Sequence, residues 1–412
     1  MDILITNARL RRREGLFNIA IADGKIASIL PVTAEVALAS APDRVLDAAG
    51  GLVTESFCNA HLHLCKVWTL QRMDEAALKD YQGADMGKAM TAIELAARVK
   101  ASYDEGWILE NVRRALDLAA QHGNLHIRAF ADVDSKAKLI GVQALLKARE
   151  EYRGRVTVQV VAFPQDGLLR EPGAEELVRQ AVELGADVVG GIPWIEYTDE
   201  DARAHVQKMV ALAREFDRDV SMLVDDAGDP TLKTLEMLAV EAIRQGMVGR
   251  CLAQHARAMC LYPMPYFTKL VALLKKAQLG VVTDPQTGPL HARVQELLAA
   301  GANVCLGQDD ISDAYYPYGR NNMLEVAFLA SHLLWMTGAA EMETLYDMIT
   351  TRAADAMNVR PFGLAEGNPA HLVVLGVPSV LEALRGQAAP RYVVSHGKLV
   401  AETRTEVTLH KS

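Results

Sequence analysis

The run Val156–Phe163 (VTVQVVAF) and the run Asp187–Gly191 (DVVGG) are apolar and of strand length, and between them Ala174–Leu184 carries apolar residues at helical spacing. A strand, a helix and a strand in succession is the unit of a parallel sheet. Outward from this unit the alternation repeats. Leu125–Ala131, Asp219–Val224, Arg250–His255, Leu279–Thr283 and Asn303–Leu306 are strand-like. The segments 93–120, 136–152, 201–216, 231–245, 266–276 and 292–300 are helical in pattern. Adding the apolar run Gly51–Phe57 ahead of His61 brings the strands to eight. Eight strands, each followed by a helix over about 300 residues, predict an α/β fold of the (β/α)8 TIM type. A doubly wound open sheet would want a glycine-rich phosphate loop after its first strand. Neither GxGxxG nor GxxxxGK[ST] occurs.

The two ends of the chain differ from this middle and resemble each other. Ile3–Ile5, Phe17–Ile21 and Lys25–Ile29 are strand-like, with Asp23-Gly24 as a hairpin signal. His371–Leu375, Arg391–Val394 and Lys398–Ala401 follow the same pattern, with a turn at His396-Gly397. Residues 1–55 and 363–412 are therefore expected to build one small β-sandwich domain together, and 56–362 the barrel.

Composition narrows the partners. The 412 residues carry a net charge of −9 with acids and bases interspersed, and no basic stripe of the kind nucleic acid requires. No stretch has the length of a membrane span, and Met1–Ile5 lacks a signal peptide's basic region and apolar core. The five cysteines form no CxxC pair and read as free thiols in a reducing cytoplasm. A small molecule is the expected partner.

Barrels of this type gather their chemistry at the C-terminal ends of the strands. Those ends read His61 and His63 after the first, Asp132 after the second, Gln165 after the third, Trp194 and Glu196 after the fourth. Asp225 and Asp226 follow the fifth, His255 ends the sixth, Asp284 the seventh, and Asp309 with Asp310 follows the eighth. In a strand, residues i and i+2 share a face, so His61 and His63 can reach one metal ion from one side. Each residue alone has a bland reading. Asp132 and Asp134 could cap the next helix, His255 could be a core histidine, and Asp309-Asp310 could close a turn. Cys65 is conceivable as a soft ligand but falls where the strand should end. Recurrence of polar residues at one end of successive strands favours a functional cluster.

With these residues in view, the chain resembles the amidohydrolase superfamily, in the branch of cytosine deaminase and N-isopropylammelide amidohydrolase. The resemblance is carried by Asn59–Leu64 (NAHLHL), Val160–Gly167 (VVAFPQDG), Ala186–Pro193 (ADVVGGIP), Gln254–Met259 (QHARAM), Gly307–Asp313 (GQDDISD) and Gly367–Leu375 (GNPAHLVVL). It runs nearly end to end. It implies one divalent metal ion (zinc, iron or manganese) on His61, His63 and Asp309. It further implies that Asp309 takes the proton of an attacking water, His255 stabilises the oxyanion and Asp226 serves the leaving nitrogen. Gln165 would read a ring carbonyl and ring N–H through both ends of its amide. The implied reaction is hydrolysis of a C–N bond in a small nitrogen heterocycle, by deamination or amide cleavage. Family members are often oligomeric, and a homo-oligomer is left open.

The family pattern is broken on the fifth strand. Aligned without gaps from Asp217, the family's metal-binding histidine falls on Leu223 and its acid, three residues later, on Asp226, with a three-residue deletion following in this loop. Family histidines on the second and fourth strands become Phe130 and Trp194, which with Trp68 would give an aromatic lining or ordinary packing. Lys66 reads as a surface charge, or else as a partner of Asp225 or of an anionic substrate. Two functions remain. Either the remaining ligands, helped by His255, Asp225 or Asp226, still bind metal and support catalysis, or the chain is a lapsed homologue that binds a small ligand. A scaffold role is suggested only by the apolar helix Met323–Met336.

Overall fold

The computed structural model describes residues 2–34, 41–73 and 97–410. Eight parallel strands form one sheet in sequence order: Phe57–Leu62, Asn124–Asp132, Thr157–Phe163, Val188–Gly191, Asp219–Val224, Cys251–His255, Gly280–Thr283 and Val304–Leu306. The sheet closes where Leu62 bridges Asp309. There the His63 N–H donates to the Asp309 carbonyl at 2.7 Å, and the Asp309 N–H to the His61 carbonyl at 2.9 Å. A helix follows every strand: Glu105–His122, Ile140–Glu151, Ala174–Glu183, Asp199–Glu215, Thr234–Arg244, Met264–Ala277, Val294–Ala299 and Met323–Leu333. This is the predicted (β/α)8 barrel. Residues 93–96 of the first expected helix lie outside the described residues.

The alternation of strand side chains explains how the barrel is filled. Val220, Met222 and Val224 of the fifth strand join the apolar layer between sheet and helices. Leu223 points the other way, into a cluster inside the barrel with Phe130, Val161, Phe163, Val188, Ile192 and Ile195. A second internal cluster, Cys58, Ala60, Leu252, Val282 and Cys305 with Ala353, Ala354 and Met357, plugs the opposite end. The barrel is thus packed below and chemically open only at the C-terminal strand ends.

Both termini contribute to a separate mixed sheet. Its strands run in the order Lys398–Glu402, Tyr392–Ser395, Leu372–Val374, Leu52–Glu55, Ile3–Leu10, Phe17–Ala22 and Lys25–Pro31, with Arg44–Asp47 beside Ile3–Leu10. The two turns read from sequence hold. Asp23 and Gly24, like His396 and Gly397, have positive φ, as a two-residue hairpin turn demands. One expectation is corrected. The apolar run ahead of His61 is two strands, because Leu52–Glu55 pairs with Leu372–Val374 in the terminal sheet and only Phe57–Leu62 enters the barrel. Hydrophobicity does not distinguish a strand shared with the other terminus from one shared with the barrel.

Candidate active site

Three of the strand ends turn through a conformation uncommon for side-chain-bearing residues. Asp225, His255 and Asp309 all have φ between 47° and 64°. Such left-handed turns break each strand sharply, and a small residue lets the ends crowd together. A Cβ on Gly307 would lie 2.1 Å from Asp284 Oδ1 and 2.6 Å from the His61 Cβ, so only glycine fits between the first, seventh and eighth strands.

The residues expected to meet do meet. His61 Nε2 is 2.9 Å and His63 Nε2 3.6 Å from Asp309 Oδ1. The His61 and His255 rings are 4.9 Å apart, and His61, His255 and Asp309 form one group of potential ligands within 4.8 Å, with His63, Asp309 and Asp310 forming another. All are buried. His61 Nδ1 and Nε2, His63 Nδ1 and His255 Nδ1 lack any hydrogen-bond partner, since even the 2.9 Å contact is out of line for one. Burial lowers the His63 and His255 imidazoles, helped at His63 by Lys66, so both are neutral near pH 7. Burial alone would raise the Asp309 carboxyl, but His255, His61 and His63 outweigh it and hold Asp309 well below the carboxylate range. Neutral imidazoles around a fixed carboxylate, with orphaned nitrogens, fit a divalent cation of the zinc, iron or manganese kind.

The neighbouring acids divide by what they already bond. Asp225 is fully engaged. It accepts from Tyr262 Oη at 2.5 Å, the Thr234 N–H at 2.6 Å, Thr234 Oγ1 at 2.7 Å and the Leu235 N–H at 3.3 Å, capping helix Thr234–Arg244. Asp226 instead faces the site. Its Oδ1 accepts from Arg257 Nε and is 3.9 Å from His255 Nδ1. Asp284 Oδ2 is 3.1 Å from the same nitrogen. Burial and the nearby Asp309 and Asp226 push the Asp284 carboxyl well up. Glu196 is structural. It accepts from the backbone N–H groups of Leu168, Leu169 and Arg170 and contacts His205 Nδ1 at 2.7 Å, while His205 Nε2 accepts from the Ile192 N–H.

One sequence expectation is overturned beside the histidines. Lys66 is no surface charge and does not pair with Asp225. It is 4% exposed, donates to Gln165 Oε1, lies 3.6 Å from Asp132 and sits over the Tyr315 ring. Asp132, in turn, is 3.7 Å from Lys100, which also binds Asp134 and Asp166 at 2.6 Å. Asp134 does not cap the next helix, Ile140–Glu151, whose N-terminus has no side-chain cap; it accepts from the Lys136 and Ala137 N–H groups in the turn before it. Cys65 is not among the metal-competent residues: its Sγ accepts from the Asp132 N–H within the apolar layer, where burial raises the thiol.

The aromatic residues divide by place. Phe130 lies 4.3 Å from the His61 ring and 5.4 Å from that of His63, and Phe163 lies 5.3 Å from His63. Trp194 is partly buried against the same cluster. Trp68 faces outward into the helix layer under Arg114 and does not line the site. Phe163 and Arg257 were the site residues without a sequence role. Only position could have marked them, since each sits at or just beyond a strand end.

The fold recurs in known proteins. Residues 44–401 match the profile of the Amidohydrolase family. The chain belongs to that family. This amidohydrolase is 28% identical over 402 residues to N-isopropylammelide isopropyl amidohydrolase of Pseudomonas sp. (strain ADP), covering 97% of each chain. It superposes on 5-methylcytosine deaminase from Klebsiella pneumoniae liganded with phosphonocytosine with a TM-score of 0.89 at 32% identity, covering 99% and 100% of the two chains. N-isopropylammelide isopropylaminohydrolase from Burkholderia multivorans gives 0.83 at 26%, covering 98% and 99%. As a family member the chain is a hydrolase of C–N bonds other than peptide bonds. No helix among the described residues is long and apolar enough to cross a membrane.

Proposed function

We propose that this amidohydrolase deaminates, or cleaves an exocyclic amine from, a small aromatic nitrogen heterocycle. The observation that carries the reading is the set of buried imidazole nitrogens without partners around the Asp309 carboxylate, with Asp226 beside them. His61, His63 and Asp309 would hold the divalent ion. A bound ion would supply a Lewis acid and a water of lowered pKa.

The remaining steps fall to the side chains. Asp309, held ionised, accepts the proton of the attacking water. Asp226, oriented by Arg257, delivers a proton to the departing nitrogen. His255 faces the oxygen that gains charge on the attacked carbon. Phe130 and Phe163, perpendicular at 5.2 Å, and Trp194 offer faces and edges for a flat ring. Gln165 orients that ring from the third strand.

A panel of pyrimidines, triazines and pterins assayed for ammonia or amine release tests the proposal. Release from at least one class is expected. Silence across the panel together with tight binding would favour a lapsed enzyme that retains a ligand, a reading suggested by Leu223 lying within the apolar cluster. Turnover in the cytoplasm of the source cell is part of the same proposal.

A further inference from the structure

Gln165 sits two residues past Phe163, at the mouth of the barrel, and is 4% exposed. Its amide has an acceptor end and a donor end, and a free amide could turn either toward a ligand. Here it is not free to choose. Lys66 Nζ lies within hydrogen-bond distance of Gln165 Oε1, and an ammonium group has donors only, so the oxygen must be the end that meets it. The lysine cannot easily leave. It is buried 3.6 Å from Asp132 and over the Tyr315 ring. Gln165 Nε2 makes no hydrogen bond to a described residue and is not among the sealed, unpartnered atoms. An oxygen already bound to a charged donor is also a poorer acceptor for a further N–H.

We infer that Lys66 is a positioning residue that fixes the Gln165 amide as a hydrogen-bond donor, so that this subsite selects a heterocycle presenting a ring carbonyl oxygen over one presenting an amino group in its place. The inference rests on the proposed function for the location of the substrate, and it replaces the expectation that Gln165 reads both a carbonyl and a ring N–H.

Two probes isolate the effect. Cytosine and 2,4-diaminopyrimidine share a 4-amino group and an unprotonated N3; at position 2 one carries an oxygen and the other an amino group, and N1 is an N–H in cytosine and unprotonated in the diamine. Calorimetric titration of the metal-containing protein, at an alkaline pH where both are neutral, should show cytosine bound about tenfold more tightly, the difference one mismatched polar contact makes. Lys66→Met keeps the aliphatic stem and frees the amide to rotate, and the ratio should fall to within about threefold of unity. Gln165→Glu keeps the lysine contact through one oxygen and turns the other oxygen toward the ligand, so the preference should reverse. If either variant fails to fold, the other decides. An unchanged ratio in the variant that folds, or no binding of either probe to the wild type, overturns the inference. Because binding is measured, the two ideas separate. The predicted order without ammonia release sinks the reaction and spares the inference, and ammonia release without a shifted order does the reverse.

Discussion

Replacing Leu223 by histidine tests whether the fifth strand addresses the metal site. Leu223 is 4% exposed and packs inside the barrel with Phe130, Phe163 and Trp194. An imidazole there forfeits about 2 kcal/mol of apolar burial and leaves a buried polar group unpaired, for about 2 kcal/mol more. The metal-free variant should therefore lose about 4 kcal/mol, a fall in Tm of about 8 °C at roughly 2 °C per kcal/mol. If residue 223 faces His61, His63 and Asp309, the new nitrogen becomes a ligand and zinc offsets the loss. At one hundred times Kd, a ligand restores about 2.7 kcal/mol, or about 5 °C. The assay is thermal melting by circular dichroism with chelator and with excess zinc, alongside elemental analysis of metal content. Leu223→Gln is the control, since it carries the same polar burden without an imidazole. Equal zinc responses in the histidine and glutamine variants would falsify the placement of residue 223 among the ligands.

Asp309→Ala should abolish turnover by at least about a thousandfold while the Tm stays near that of the wild type, and surviving activity would discard Asp309 as proton acceptor. Asp225→Asn should cost about 2 kcal/mol in a urea melt through the helix cap it supports, whereas Asp226→Asn should leave the melt unchanged and slow turnover; the opposite pattern would exchange their roles. Burial, with His396 beside it, lowers the His371 imidazole to about 4. Its depressed folded value means the unfolded chain binds the proton first, so stability should decline as pH falls from about 6.5 toward about 4. At pH 5 this amounts to about 2 kcal/mol for that residue, and His371→Asn should show a shallower pH dependence in the same melts.

The eight-strand alternation was legible because fully buried parallel strands are written as continuous apolar runs, and because each helix repeats its apolar face every three to four residues. The strand ends were legible for the same reason, since a polar residue after such a run stands out. His61, His63, His255 and Asp309 could therefore be named from sequence, and tertiary structure brought them together at the closing seam. What sequence spacing could not supply was the environment on each side of a residue. Asp225 and Asp226 are adjacent and chemically identical, yet the left-handed turn at Asp225 aims one carboxylate into a helix terminus and the other toward His255. Lys66 read as a surface charge because lysine is rarely buried. Only the fold sets Asp132 from one strand and Gln165 from the next against its ammonium. Trp68 and Phe130 are equally aromatic in sequence, but strand parity and loop path put one outside the barrel and the other against the His61 ring. Sequence thus determined the scaffold and the donor atoms, which depend on local periodicity, whereas burial and the pairing of charges across strands depend on contacts between residues distant in the chain.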